Sequence, residues 1–461
     1  MTPADVIVPA TARLGVEVKL SATASLFDPA TDADGVELEV SEPDDVFPAT
    51  TADEGVEPSV SAAFSLLVAA TAVEGLLAAE IATLSVLVAA TTVDAYKFDG
   101  ISAADASGVF AGQYSACALS HGSPSCWGDN TQSDLGTGDE EMHVSPTSVD
   151  TTARFTLLAP GQSHVCAIRA PDARVMCWGD NTYGQIGIGG SATSYASPQG
   201  VTLPGPAVWV TAGYEHSCAV LYDGSLWCWG DNSEGQLGLN DAYGSPNATK
   251  PVRVGSAVDW VTVSGGQGHT CGVRAPGTMW CWGRNTNYEL GIGTSAPDQL
   301  RAPTQVGMST NWTFVELGQD DACALQANGS LWGWGAGTSG QLGTPAGVFE
   351  TPSQIGTDTN WTTVSTDTFS SCAIQSGGAL YCWGRNVEGQ LGTGDTNDRT
   401  VPTLTGSNGL FGSVSVGRFF TCAENLSLQV SCTGANESGQ LGVGDTMRRD
   451  LFTPVSLPES Q

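Results

Sequence analysis

The sequence predicts an all-β fold, a seven-bladed β-propeller preceded by a β-rich short-repeat stalk, on three observations. First, Trp-Gly recurs at Trp127, Trp178, Trp229, Trp282, Trp334 and Trp383, with a degenerate Thr433-Gly434 last, in steps of 51, 51, 53, 52, 49 and 50 residues. A fixed period near fifty marks a repeat architecture before anything else. Second, cysteines fall in pairs at one place in each unit, at 117/126, 166/177, 218/228, 271/281, 372/382 and 422/432, with Cys323 alone. Third, residues 1–95 hold no Cys and no Trp, while all 13 tryptophans lie between 127 and 383. That composition shift divides the chain into 1–95, a repeat segment for anchoring or oligomerisation, and 96–461, the propeller.

Each unit of the larger part reads as four short strands. The fourth shows them as Pro251–Val254, Trp260–Val263, His269–Val273 and Met279–Trp282. Four strands per unit, repeated radially, make a propeller blade, and closing the ring protects the sheet edges. From Ile101 to Leu457 the chain has room for seven such units. Pro454–Pro458, after the last motif, matches the first strand of a unit and is expected to pair into the blade of Cys117 and close the ring. Gly-Gln-Leu-Gly after Trp-Gly, as at Gly235–Gly238, is turn chemistry, its glycines supplying backbone angles that side chains forbid.

The paired cysteines bracket a two-strand turn, as in Cys218-Ala-Val-Leu-Tyr-Asp223-Gly224-Ser-Leu-Trp-Cys228. Asp-Gly is a strong hairpin signal, and folding there sets Cys218 opposite Cys228. The expected bridges are Cys117–Cys126, Cys166–Cys177, Cys218–Cys228, Cys271–Cys281, Cys372–Cys382 and Cys422–Cys432. Cys323 is expected as a free thiol, because its partner position is Gly333. Two other readings stand beside this one. Zinc requires spacings such as Cys-x-x-Cys, which do not occur, so no metal site and no cofactor are expected. Packed free thiols remain open, although six matched pairs and one coordinated loss favour bridges and therefore an oxidising medium.

Residues 1–95 have their own period. Ala-Thr recurs at 10, 30, 49, 70 and 90, and Val36-Glu-Leu-Glu-Val40 alternates as a half-buried strand does. Units of twenty residues bury no core alone, so they stack on one another or on other chains. They resemble the short Pro-x-Thr-Ala-x-Leu repeats of bacteriophage tail and fibre proteins. The run from Ser61 to Thr92 is apolar, but Glu74 and Glu80 divide it below the length of a membrane span. Met1-Thr-Pro-Ala-Asp5 shows no basic stretch followed by an apolar run, the pattern of a signal peptide.

The unit His-Ser-Cys218-Ala-Val, Asp223-Gly224, Cys228-Trp229-Gly230-Asp-Asn232, Gly235-Gln-Leu-Gly238 resembles the regulator of chromosome condensation repeat. That resemblance implies a seven-bladed propeller, and the cysteine-bearing form is similar to exported bacterial and phage-borne members. Functions of the family meet specific obstacles here. Chromatin binding asks for a basic face, whereas 48 acids against 16 bases give a formal charge of −32. The same charge disfavours nucleic acid and anionic membranes as partners. The Gly-Trp-Arg-His-Thr string of the ultraviolet-sensing members is absent. Inhibition of secreted β-lactamases fits the compartment without a recognisable residue signature.

Catalysis has little support. His164, His216 and His269 each stand two residues before the first cysteine of a unit, which favours a scaffold role. No Gly-x-Ser-x-Gly, His-Glu-x-x-His or phosphate loop occurs. Asp129, Asp180 and Asp231 follow Trp-Gly, with Arg284 and Arg385 in the same slot; Asx turns explain the acids best. Arg301, Arg399 and Arg449 recur at another slot and read as structural. The loop after Gly-x-Leu-Gly differs in every unit, and Tyr195, Tyr243 and Phe349 there are candidate binding residues.

The expectation is therefore a non-enzymatic recognition or adhesion propeller, extracellular or on a virion surface, as a tail fibre or decoration. Its partner would be a protein or glycan receptor on a cell surface. Residues 1–95 would serve self-association or contact with other virion proteins. No nucleic acid and no membrane insertion are expected. The alternatives are an exported bacterial cell-surface binding protein or protein inhibitor, and a surface-polymer hydrolase.

Overall fold

The computed structural model describes residues 106–458, except 295, 345, 346 and 408. The stalk, its repeats and its anchoring role fall on 1–95 and lie outside the described residues. Every helix or strand among the described residues is a strand, so no helix there is long and apolar enough to cross a membrane. Twenty-eight strands form seven four-stranded antiparallel sheets. These blades, numbered 1 to 7 in chain order, cover 108–148, 154–200, 207–253, 260–305, 312–354, 361–404 and 411–454.

Blade 3 shows why the sequence folds this way. Its first strand, Ala207–Ala212, mixes buried and half-buried residues and lines the central channel. Its second strand, His216–Leu221, is buried on both faces, which suits its run of small and apolar residues. Asp223-Gly224 turns the chain, with the Asp223 carboxylate accepting from the Ser225 amide at 2.9 Å. Glycine is required at 224, where φ is 76° and a Cβ would lie 2.1 Å from the Val258 carbonyl oxygen. The third strand, Leu226–Gly230, carries Cys228 and Trp229, and Ala248–Arg253 forms the exposed outer strand.

Two sequence expectations are corrected. Residues Pro251–Val254, read as the first strand of the fourth unit, belong instead to the outer strand of blade 3, where Arg253 pairs with Trp227 and Val252 with Cys228. After each Gly-x-Leu-Gly the chain returns onto its own Trp-Gly strand, because that edge is the nearest open ladder. The last blade obeys the same rule. Arg449–Pro454 pairs with Ser431, Cys432 and Gly434 of blade 7, and 455–458 add no strand to the blade of Cys117. Blade 1 is complete without them.

The ring closes by packing between blades. Each motif tryptophan is fully buried and donates its indole N–H to a backbone carbonyl of the preceding blade, in that blade's Gly-x-Leu-Gly turn or its equivalent. Trp229 reaches Gln185 O at 2.8 Å and Trp282 reaches Gln236 O at 2.8 Å. Trp127 reaches Gln440 O of blade 7 at 3.0 Å, which is the closure itself. The last glycine of the turn is the floor beneath the indole: a Cβ on Gly238 would stand 2.7 Å from Trp282 Nε1. Blade 7 lacks the tryptophan. Thr433 Oγ1 donates to Gly389 O at 2.9 Å, and the Phe452 ring meets Gly392, the glycine of that turn.

The paired cysteines face one another across the second and third strands, bonded as Cys117–Cys126, Cys166–Cys177, Cys218–Cys228, Cys271–Cys281, Cys372–Cys382 and Cys422–Cys432. Their Cα atoms stand 4.0–4.2 Å apart, the close spacing of a non-hydrogen-bonded antiparallel pair. Each bridge stabilises the fold by about 2–3 kcal/mol on the loop-entropy account. Cys323 is a buried free thiol opposite Gly333.

Candidate recognition face

An antiparallel meander sends its first-to-second turn and its third-to-fourth loop out at one end. All seven blades therefore present both connections on one face, around one mouth of the channel. Much of that face is scaffold. Asn232 Oδ1 accepts from the Leu237 amide at 3.3 Å, and Asn130, Asn181, Asn285, Asn386 and Asn436 hold their own loops in the same way. Asp129, Asp180 and Asp231 accept from the amides two residues on, as Asx turns do. Arg301 pairs with Asp241 at 2.9 Å, Arg399 with Asp395 at 2.7 Å and Arg449 with Asp445 at 2.7 Å.

The histidines are scaffold too. His164 Nε2 lies 2.8 Å from Ser217 Oγ and His216 Nε2 lies 2.8 Å from Thr270 Oγ1, each joining one blade to the next. Burial pushes His164 to about 3 and His216 to about 4, so both are neutral at ordinary pH. The slot that holds Ser217 and Thr270 in blades 3 and 4 is Ala322 in blade 5, so no hydroxyl is offered to His269, and neither ring nitrogen makes a well-formed hydrogen bond among the described residues.

The candidate aromatics do not gather in variable loops. Tyr195 and Phe349 lie in outer strands, opposite Gly179 and Gly335, and are half-buried against the cores. Only Tyr243 stands in a loop, 83% exposed. The loops they were read from fold back as strand because the ladder takes them.

A different quarter of the face breaks a pairing that three of the seven blades make. In blades 2 and 3 the residue after Trp-Gly pairs with the glutamine of Gly-Gln-(Ile/Leu)-Gly: Gln185 donates to Asp180 at 2.7 Å and Gln236 to Asp231 at 2.7 Å. Blade 4 inverts the pair, with Arg284 donating to Glu289 at 2.9 Å, and Arg284 also meets Asp320 and Gln267. Blade 6 has Arg385 in the first slot but keeps Gln390 in the second. Gln390 Oε1 accepts from the Glu388 amide at 3.0 Å, and its Nε2, like the guanidinium, can only donate. Arg385 Nε and Gln390 Nε2 are both buried without an acceptor among the described residues.

Arg385 lies instead over Phe369 at 5.3 Å and Phe419 at 5.5 Å from the ring centroids. Those two rings stack with centroids 5.6 Å apart and planes 17° apart. Arg418 lies over Phe419 and Tyr114, at 5.3 and 5.6 Å, and donates to the Tyr114 hydroxyl at 2.7 Å. A cavity of about 270 Å³ opens beside them, lined by Tyr114, Arg385, Glu388, Phe419, Glu437 and Gln440 among others. Across the face the balance reverses. Burial, then Asp231 and Asp180, holds the Glu215 carboxyl above its usual range, and Glu215 raises the Tyr183 phenol.

The regulator of chromosome condensation repeat models match 158–185, 210–236 and 260–289 in one form, and 172–220, 276–325, 328–374 and 377–423 in another. Together they cover more than half of the chain. The chain belongs to the regulator of chromosome condensation repeat family. It is similar to the ultraviolet-B receptor of Arabidopsis thaliana, 30% identical over 241 residues, which is 50% of this chain and 54% of that one. It is 30% identical over 223 residues to the probable E3 ubiquitin-protein ligase HERC6 of Homo sapiens, covering 47% of this chain and 22% of that one. The chain thus spans about half or less of these relatives. Among solved structures, human WBSCR16 superposes with a TM-score of 0.66 at 20% identity, covering 72% of this chain and 94% of that one. Yeast RCC1, solved bound to Kap60, gives 0.63 at 19% identity over 72% and 83%. These likenesses show the propeller fold.

The Arg–aromatic quarter was missed in the sequence, although a signal existed. Arg385 with Gln390 breaks a two-position pairing that blades 2, 3 and 4 keep. It becomes visible once the two slots are known to touch.

Proposed function

We propose that this propeller is a non-enzymatic recognition module whose loop face docks a protein surface through Tyr114, Phe369, Arg385, Arg418 and Phe419. One observation carries the reading: Arg385 occupies an ion-pair slot without its acid, in a chain of formal charge −32. Guanidinium groups spread over aromatic faces are pre-organised for carboxylates and flat apolar surfaces, and such anchors dominate binding energy. A yeast structure described for binding Gsp1p and histones shows that a propeller of this fold serves as a protein-binding platform. The six bridges support a place in an oxidising medium. The proposed site of action is accordingly extracellular or on a virion surface, with a cell-surface receptor as partner.

Two measurements test this. Arrays of extracellular proteins and glycans are screened with the purified chain, and the hit is re-measured with Arg385→Glu/Arg418→Glu. A loss of about tenfold or more, with an unchanged melting temperature, supports the docking quarter. Unchanged affinity overturns it, as does polysaccharide turnover abolished by changing one Asp or Glu. Alkylation of thiols in the native source before lysis addresses the compartment. Six intact bridges are expected; reduced pairs overturn the external placement.

A further inference from the structure

One channel-lining position varies between blades: it is a hydroxyl in four of them, Phe110 in blade 1, Ala159 in blade 2 and a carboxyl only in blade 5. This position of the first strand, opposite the first cysteine of each blade, holds Thr211, Ser264, Ser365 and Ser415 in blades 3, 4, 6 and 7. Each hydroxyl accepts the backbone N–H of the next blade: Gly265 at 3.2 Å, Leu317 at 3.2 Å, Val416 at 3.0 Å and Ala111 at 2.8 Å. In blade 5 the same position is Glu316. No such bond to the next blade forms there, and a carboxyl lines the channel instead.

Two residues earlier, the equivalent positions of blades 3 and 5 carry Trp209 and Phe314, where blades 6 and 7 have Thr363 and Ser413. The two rings meet edge to face across the space between their blades, with centroids 6.2 Å apart. The Trp209 indole is held by donation to Val263 O at 2.8 Å. Both line the same cavity as Glu316, of about 270 Å³. Towards the loop face Tyr214 of blade 3 and Thr368 of blade 6 meet at 3.2 Å between their hydroxyls, roofing the mouth. The charged residues lining the cavity are Glu316 and Asp367; no Lys, Arg or His lines it.

We infer that the channel is a binding site for a small organic cation, an alkyl- or quaternary ammonium, with Glu316 as its counter-charge and Trp209 and Phe314 as its walls. Aromatic faces and a carboxylate in a partly desolvated space are the chemistry that selects an ammonium over water or a neutral molecule. A half-buried carboxyl where four other blades place an inter-blade hydroxyl destabilises the ring, and departures from a local rule of this kind are concentrated at functional sites. This inference uses neither Arg385 nor Arg418 as a ligand, although Arg418 lies near enough to lower the Asp367 carboxyl at the channel mouth.

The test is calorimetric titration of the purified chain with butylammonium and tetramethylammonium chloride, and with butanol as the uncharged control, at about pH 9, because burial pushes the Glu316 carboxyl up to about 8 and only its ionised form is a counter-charge. Saturable binding of an ammonium, at least about tenfold tighter than butanol, is expected. Glu316→Gln should weaken it about tenfold or more. Glu316→Ser restores the repeat's hydroxyl, and should abolish ammonium binding while raising the melting temperature. That opposite movement separates a site from a merely structural residue. Equal binding of butanol, unchanged affinity in Glu316→Gln, or no saturable binding at millimolar concentrations overturns the inference and leaves a channel filled with water.

Discussion

Blades 3 and 5 are the same sheet built with opposite commitments. Blade 3 keeps every element of the repeat: His216 bonded to the next blade, a Cys218–Cys228 bridge, Trp229 seated on Gln185, and Asp231 paired with Gln236. Blade 5 keeps Trp334 and the Gly340-Gln-Leu-Gly343 turn that seats Trp383, but loses much of the rest. Asp321 replaces the histidine, Gly333 the second cysteine, Ala336-Gly337 the Asp-Asn pair and Glu316 the channel hydroxyl. The difference shows which elements hold the ring. What blade 5 retains are both halves of the inter-blade tryptophan contact, Trp334 and the turn that receives Trp383, so that contact is exchanged only where other volume compensates, as in blade 7.

The largest expected effect follows. Trp229→Ala and Trp334→Ala should each cost about 3–5 kcal/mol, because each removes a fully buried indole and leaves a cavity between blades. Urea unfolding of the two variants checks it. A loss in blade 5 much smaller than in blade 3 would break the claim that the tryptophan is the shared fastening. Blade 7 sets the exception: Thr433 is tolerated because Phe452 meets the turn glycine there, so Phe452→Ala should cost more than the same change at an ordinary outer-strand residue.

The second effect is in pH dependence, where the two halves of the comparison oppose one another. Burial pushes Glu316 up to about 8, with Asp367 adding to it, and pushes Asp367 to about 6 and Asp134 to about 7; Asp321 is raised as well. An acid whose folded pKa is raised destabilises the fold as pH climbs from its unfolded value to its folded one. The buried histidines run the other way. Their folded values near 3 and 4 lie below the unfolded 6.5, so they destabilise the fold as pH falls below about 6.5. Acidification from pH 8 to 6.5 should therefore raise the melting temperature, with a slope near 1.4 kcal/mol per pH unit for each acid titrating there. Below pH 6.5 His164, His216 and His269 offset the gain and the curve flattens. Glu316→Gln should remove most of the upper limb. Stability that falls steadily between pH 8 and 6.5 would refute the assignment.

How much of this was legible beforehand depended on whether a signal was local. Trp-Gly, the cysteine spacing and Asp223-Gly224 act within one hairpin, so the number of blades and the position of the turns could be read directly. Strand membership could not. Ala248–Arg253 has the same local pattern whether it opens one blade or closes another, and only pairing with Trp227 and Cys228 decides it. The face was harder still. Tyr195 and Phe349 stood out as aromatics in variable stretches, yet the outer ladder draws them into strands. Arg385 and Glu316 looked ordinary because their meaning lies in residues of the same repeat slot, visible only after the register fixes which slots touch.

The smallest effect sharpens the comparison most directly, since it asks whether blade 5 can be given the element it lacks. Cys323 lies opposite Gly333 in the register that joins Cys218 to Cys228. Gly333 has no positive φ, and a Cβ there would stand 3.1 Å from Ile355 Cδ1 and 3.3 Å from Leu342 Cδ2. Both neighbours are side-chain ends that must yield a few tenths of an ångström. Gly333→Cys should then form a seventh bridge, raising stability by about 1–2 kcal/mol, less than the 2–3 kcal/mol of an unstrained bridge of this loop length. Thiol titration under denaturing conditions should fall from one free cysteine per chain to none. Two free thiols would mean that Ile355 and Leu342 hold the strands in a spacing the other blades do not share, and that the missing cysteine in blade 5 is a consequence of its packing.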